Sequence, residues 1–410
     1  MTNLNKAILR LRSAPIGFIV QLGTIMKALQ AIKAARNVAG RSRTPKQVVF
    51  ISDRPRSREA KLAYGLQQIG WQVVLLHRQA LAFDAGRYCV ETRQYRSPWE
   101  ALRLAACYMP VVYHVFSLWN FEVAATFIRH KPGKIILDDY DVMAGMTKED
   151  FVRKYYPGQL ELERFCLENA DGICCRSLET QYAKKYMGYK FSGKRIFFAD
   201  YCWNIAESRV QKSPDGCFTV ANIGNLYIDM NRNIDHPKNY HLKLAVLLSQ
   251  HGIRSYLFLS SLTSDSELFL KNALADNPYI RFGSLRYERL MRELHSQCHA
   301  GLICSPPLVT LMPDDAYRPS KRNYGVGNKA FDYIDAAIPI IMDSENRFLY
   351  FIVKRYHKVF DFSVFYSDLN ECPRLIQNLL INSVEELSRA RKILSVSHQA
   401  PRLANFYNSL

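Results

Sequence analysis

The stretch from Tyr324 to Pro339, YGVGNKAFDYIDAAIP, gathers residue types that suit a phosphate. Gly325 and Gly327 let a backbone approach a ligand closely. Helical spacing begins at Asn328, and the first turn of a helix offers unpaired N–H groups and the positive end of its dipole to an anion. Lys329 adds a full charge at that point. Asp332, three residues on and on the same face, can accept both hydroxyls of a ribose. Anion site, cation and ribose carboxylate would then share a turn and a half. A solvated Lys–Asp pair is the plainer account of these residues, and such a pair contributes little.

Further candidates stand at the ends of apolar runs. His114 lies in VVYHVFS, a strand that ends in a loop; a hydrogen-bonded core histidine is the alternative. Asp138, Asp139 and Asp141 follow KIIL, where they can orient acceptor hydroxyls, balance positive charge or cap the next helix. Arg54, Arg56 and Arg58 follow QVVFIS and suit phosphate, or form a solvated run. Gly224 ends FTVANIG, where a diphosphate can approach, or serves as a turn glycine.

These residues need elements to hold them. From residue 47 the chain alternates apolar, β-branched runs with helical segments. QVVFIS, WQVVLL, VVYHVFS, KIILDD, DGICCRS and KRIFFA read as strands, with SREAKLAYGLQQIG and LETQYAKKYMG as helices among them. Runs this apolar, separated by helices, predict parallel strands covered on both faces. The polar segment 206–216 reads as a linker. A second alternation follows through CFTVANIG, RSYLFLSS, YIRFG, AGLICS and IPIIMD, and two polar helical segments, about 368–380 and 383–396, close the chain. The expectation is an α/β protein with two tandem doubly wound, Rossmann-like domains, 46–206 and 207–365, facing a cleft, with carboxyl-terminal helices over 366–410. Ligands bind such sheets beyond the carboxyl ends of the strands. Neither G-x-G-x-x-G nor G-x-x-x-x-G-K-[ST] is present, which removes the main support for dinucleotide dehydrogenase and P-loop readings.

Composition narrows the class. The 410 residues are 48% hydrophobic, enough for sizeable cores, and the formal net charge is +18. Nine basic residues, from Lys6 to Lys46, precede the first acidic one, Asp53. Within residues 1–45, Phe18, Leu22, Ile25, Met26, Leu29 and Ile32 form one helical stripe. The apolar run is shorter than the roughly 20 residues a span requires. A basic amphipathic helix suits an anionic membrane surface; packing on the protein body is the other reading. No motif supports nucleic-acid binding. Ten scattered cysteines without a C-x-x-C point to a reducing, cytoplasmic compartment, and no spacing suggests a metal site, although DYD at 139–141 fits the letters of a D-x-D.

The segment YGVGNKAFDYIDAAIPII resembles the donor-binding segment of nucleotide-sugar-dependent glycosyltransferases with the two-domain B fold, of the retaining, group-1 type. Gly327, Lys329, Asp332, Tyr333 and Pro339 fall in register with the family pattern. Tyr324 stands where the family has its first Glu, Asp332 where it has the ribose-binding Glu, and Ala337 where it has Gly. ISDRPRSREAKLAYGLQQIGWQVVLL and VANIGNL are similar to the units that open the two domains. The resemblance implies a nucleotide-diphosphate-sugar donor held by Gly224, Asn225, Tyr324, Gly327, Asn328, Lys329 and Asp332. Asn225 replaces a diphosphate-binding Arg, whose charge Arg318, Lys321, Arg322 or Lys238 could supply. It implies an acceptor, a glycan or lipid-linked glycan of cell-envelope or exopolysaccharide synthesis, bound near Arg54, Arg56 and Arg58. His114, Asp139 and Asp141 are the candidates for chemistry, and no cofactor or metal is required. The implied place is the cytoplasm, peripheral on the inner membrane face through the amino-terminal helix. A nucleotide-sugar epimerase of the same fold and a partner subunit without turnover are the alternatives.

Overall fold

The computed structural model describes residues 26–34, 43–81, 86–143, 149–204, 216–224, 229–233, 235–236, 239–259, 262–274, 277–303 and 324–410. The first half contains β1 (Gln47–Ser52), α1 (Ser57–Gln68), β2 (Gln72–His77), β3 (Glu91–Gln94), α2 (Pro98–Ala105), β4 (Val112–Ser117) and α3 (Glu122–His130). It continues with β5 (Ile135–Asp139), α4 (Glu149–Tyr155), α5 (Gln159–Asn169), β6 (Gly172–Cys175), α6 (Glu179–Tyr186) and β7 (Lys194–Phe197). The strands form one seven-stranded sheet in the order β3-β2-β1-β4-β5-β6-β7. All its pairings are parallel; Phe50, for example, lies beside Leu75 on one side and His114 on the other. Helices cover both faces, which is why Val48 to Ile51 and the whole of β4 are buried.

The second half repeats the plan with β8 (Thr219–Gly224), α7 (Tyr240–Gln250), β9 (Arg254–Leu259), α8 (Ser264–Leu274), β10 (Ile280–Gly283), α9 (Tyr287–Gln297) and β11 (Ala300–Ile303). Then come α10 (Asn328–Asp335), β12 (Ile340–Met342), α11 (Arg347–Tyr356), β13 (Val359–Asp361) and α12 (Phe362–Ser367). Its six-stranded parallel sheet runs β10-β9-β8-β11-β12-β13. In both sheets the strand order reverses direction beside the first strand, between β1 and β4 and between β8 and β11. Crevices for ligands open at such points.

The chain closes with α13 (Cys372–Asn382), α14 (Val384–Ile393) and α15 (Val396–Asn408). The last of these differs from the sequence expectation, which ends helix at 396; Pro401 inside it reads as a break. Helix α15 packs on α1 of the first half. A Cβ at Gly65 would sit 2.9 Å from Val396 Cγ2 and 3.0 Å from its carbonyl oxygen, so a glycine is required at this crossing. The Val396 amide donates to the Cys202 carbonyl at 2.7 Å and fixes the return. One apolar core runs from Phe50 and Leu62 through Trp203 to Ile223, Phe331 and Tyr333, so the halves share their interior.

Residues 26–34 are helical, while Phe18, Leu22 and Ile25 of the amphipathic stripe lie outside the described residues. Ala31 is buried on the first half, whereas Met26 and Leu29 are 55% and 56% exposed. Among the described residues no helix is long and apolar enough to cross a membrane.

Candidate active site

Helix α10 is held on the second sheet by Tyr333. Its ring lies flat on Gly301, where any Cβ would come within 2.2 Å of it. Its hydroxyl donates to the Ala221 carbonyl (2.9 Å) and receives the Ile223 amide (3.2 Å). That anchor sets the start of α10 above the end of β8. Gly327 is the N-cap, and among the described residues no side chain caps the helix, so its first amides are left for a ligand. Lys329 lies across Gly224: a Cβ at Gly224 would be 3.0 Å from Lys329 Cε, and the φ of +93° is itself a glycine conformation. His241, beside Asn222 at 2.9 Å, is pushed down to about 3 by burial and then by the Lys329 charge. Gly224, Gly327, Asn328 and Lys329 are thus brought together. Asn225, Arg318, Lys321 and Arg322, like Lys238, lie outside the described residues.

Asp332 is placed differently from a ribose receptor open to the cleft. Its Oδ1 accepts from Lys61 Nζ and from the Tyr287 hydroxyl, each at 3.1 Å. Lys61 comes from α1, so this pair ties the two halves. Burial lowers the Lys61 pKa, but Asp332, Asp200 and Asp335 together raise it above its ordinary value. Asp335 takes the Asn204 amide at 2.7 Å in the same seam. The Tyr324 carbonyl accepts from the Leu178 amide (2.9 Å), and its ring packs edge-on against Tyr182. Tyr324 also borders a cavity of about 1030 Å³ with Lys184, Lys185, Lys194 and Arg195 on its walls.

Two sequence candidates are corrected by their burial. Arg58 is not an acceptor-binding group: it is fully buried and donates to Asp138 (2.8 and 3.0 Å), Asp200 (2.7 Å) and the Phe198 carbonyl (2.9 Å). His114 does not reach the cleft. It is fully buried and stacked on Phe116, with Nδ1 2.6 Å from the Tyr407 hydroxyl and Nε2 3.2 Å from Asp138. Burial lowers its pKa, against the pull of Asp138, and so favours the neutral ring. His114, Asp138 and Cys174 are spaced as metal ligands would be, yet the Arg58 guanidinium already fills that role, 3.4 Å from the Cys174 sulfur. Although burial opposes it, that guanidinium holds Asp138 down at about 2.

The remaining carboxylates part because β5 ends at Asp139 and Asp141 lies in the bend beyond it. Asp139 points away from the cavity described next. It is buried, has no hydrogen-bond partner among the described residues, and is pushed well above the ordinary carboxylate range by burial and by Glu163 and Glu179. Asp141 does reach the cleft. It lines a cavity of about 800 Å³ at the carboxyl ends of β1, β4 and β5, together with Arg54, Arg56, Asp53, Trp119 and Tyr156. The sequence reading missed Asp53, whose only signal is its place just past β1. Its carboxylate accepts from the Tyr95 hydroxyl (2.9 Å) and from Asn120 Nδ2 (3.1 Å), and burial raises its pKa.

Arg176, just past β6, was missed as well. It donates to Asp141, to Asn328 Oδ1 at 3.0 Å and to Asp200 at 3.5 Å, and lies over the Tyr140 ring. Asp141, Arg176 and Asn328 therefore form a chain from the wall of the first-half cavity to the open end of α10.

No protein-family profile and no curated protein matches the chain. Solved structures do. A sucrose-phosphate synthase from Thermosynechococcus elongatus aligns at a TM-score of 0.56 and 12% identity, covering 88% of this chain and 98% of that one. An S. aureus MnaA solved with UDP aligns at 0.52 and 9%, covering 88% and 95%. At such identities the likeness is one of architecture: the chain has the two-domain B fold that its sequence resembles.

Proposed function

We propose that the protein is a glycosyltransferase that takes a nucleotide-diphosphate sugar as donor. The observation that carries this reading is the uncapped start of α10, with Lys329 laid across Gly224, facing a separate cavity in the other half. The first place suits the donor diphosphate. Amides and ammonium fixed there stabilise the charge that develops as the leaving group departs, with no reorganisation during the reaction. The sucrose-phosphate synthase from T. elongatus and the UDP in the MnaA structure support the same assignment. The cavity suits a glycan or lipid-linked acceptor. Trp119 and Tyr156 give a sugar ring apolar faces, while Asp53 and Asp141 accept from its hydroxyls. Retention of configuration is the outcome the resemblance implies. The scheme needs no cofactor besides the donor.

The test is a thermal-shift screen of UDP, GDP and ADP followed by a transfer assay with the matching sugar donors. A ligand at a hundred times its dissociation constant adds about 2.7 kcal/mol. Lys329→Ala should abolish the shift that the best nucleotide gives wild type, without unfolding the protein. A wild type that responds to none of the three sinks the reading. The Lys61–Asp332 tie and Tyr324 favour one second reading, a partner subunit that binds nucleotide without turnover. Binding with neither transfer nor donor hydrolysis would select it.

The exposed Met26 and Leu29 support membrane docking by residues 1–45 on the cytoplasmic face. Full-length protein should sediment with anionic vesicles and release as salt rises. Sedimentation no better than with neutral vesicles at low salt would assign the helix to packing instead.

A further inference from the structure

Arg176 stands where the strand ends of the two halves meet, and part of its bonding capacity is unused. A guanidinium has five N–H donors. Nη2 is taken by Asp141. Nη1 goes to the neutral amide of Asn328 at 3.0 Å and, at a long 3.5 Å, to Asp200, which already holds Arg58 at 2.7 Å. The buried Nε has no partner among the described residues. Its one strong partner, Asp141, is 22% exposed on the cavity wall. A cation so placed lies against the first residue of a helix whose amides no side chain caps among the described residues and whose second residue is Lys329.

We infer that Arg176, carried by the first half, binds the donor diphosphate held by the second. The inference rests on the donor reading above and adds a residue that neither the sequence motif nor the fold assigns. When the diphosphate settles on the start of α10, the guanidinium exchanges the Asn328 amide for phosphate oxygens. A planar fork suits that exchange, because two parallel N–H groups meet two oxygens of one anion. Lys329, the helix amides and Arg176 then surround the leaving group from both halves. The Asp141 carboxylate keeps the fork aimed while it is empty.

The experiment compares nucleoside diphosphates with their nucleosides on full-length protein: UDP with uridine, GDP with guanosine, ADP with adenosine, by ligand-observed NMR and calorimetry. Arg176→Ala should weaken the diphosphate that binds by about 10–100-fold, the range of a charge-assisted hydrogen bond. The nucleoside should be unaffected, and Arg176→Lys should fall between. Equal weakening of both ligands, or of neither, overturns the inference while leaving the donor reading in place. A wild type that binds none of the three diphosphates overturns both. Should Arg176→Ala fail to fold, Arg176→Gln serves: it removes the charge and keeps a side chain that can hydrogen-bond to Asp141. The same selective loss is then expected, and unchanged diphosphate affinity overturns the inference.

Discussion

Arg58 and Arg176 share a partner, Asp200, and each also holds an aspartate at or just past the end of β5. Their settings nevertheless differ. Arg58 is fully buried, and its three nitrogens all donate, to two carboxylates, a carbonyl and a thiol. Arg176 sits just past β6 with one carboxylate close, one distant, an amide and, among the described residues, an idle nitrogen. A saturated buried cation holds a fold together. An under-partnered one beside an open helix end is ready for an anion. The number and quality of partners, rather than residue type, separates the two roles.

The largest effect should come from Arg58→Ala, which leaves Asp138 and Asp200 buried without their cation. Breaking such a pair costs about 3–5 kcal/mol, to be read from urea unfolding at neutral pH. Arg176→Ala should cost clearly less, because Asp141 can turn to water. Equal losses at the two positions would break the comparison. The pH dependence sharpens it. Asp138 is held at about 2 against an ordinary 3.8, so its stabilising contribution is complete above 3.8 and lost as pH falls toward 2. In Arg58→Ala that window should flatten.

The smallest effect concerns Asp139, a buried carboxyl with no cation paired to it among the described residues. Its folded pKa is raised, so the folded state retains a proton that the unfolded state releases. Stability therefore falls as pH rises from 3.8 toward the folded value. Asp139→Asn should remove that fall and equal or exceed wild type at pH 7. A fall of the same slope in the variant would show that the Asp139 pKa is not raised in the folded state.

Much of this architecture is written locally. Strands such as VVFIS and VYHVFS declare themselves because both faces are buried, and the Gly327–Lys329 start of α10 carries its chemistry in consecutive residues. The errors share one cause, namely partners remote in the chain. His114 looks functional because a polar residue interrupts an apolar run, and the hydroxyl that satisfies it is 293 positions away. Arg58 looks like its neighbours Arg54 and Arg56 until α1 turns it inward to Asp138, 80 positions on. Asp139 and Asp141 are close in sequence, yet β5 ends at Asp139 in the core and the bend after it carries Asp141 to the cavity. Lys61, on a segment that reads simply as a helix between strands, finds Asp332 271 positions later. Arg176 offers only its place past a strand, a signal usable once the sheet order is known.

The return of α15 to the first half sets the order in which the chain can be completed during synthesis. Gly65 waits for Val396, and His114 for the hydroxyl of Tyr407. Until α15 has left the ribosome, the first sheet lacks part of the cover on one face and a buried histidine lacks its partner. On one face of the second sheet, the core from Phe218 to Ile376 needs nothing later than α13. The half that is made first is thus finished last, and a nascent chain must hold its amino-terminal domain open until α15 has been made. Exposed apolar surface over that interval is where aggregation competes with folding, so demand on chaperones falls on the amino-terminal half.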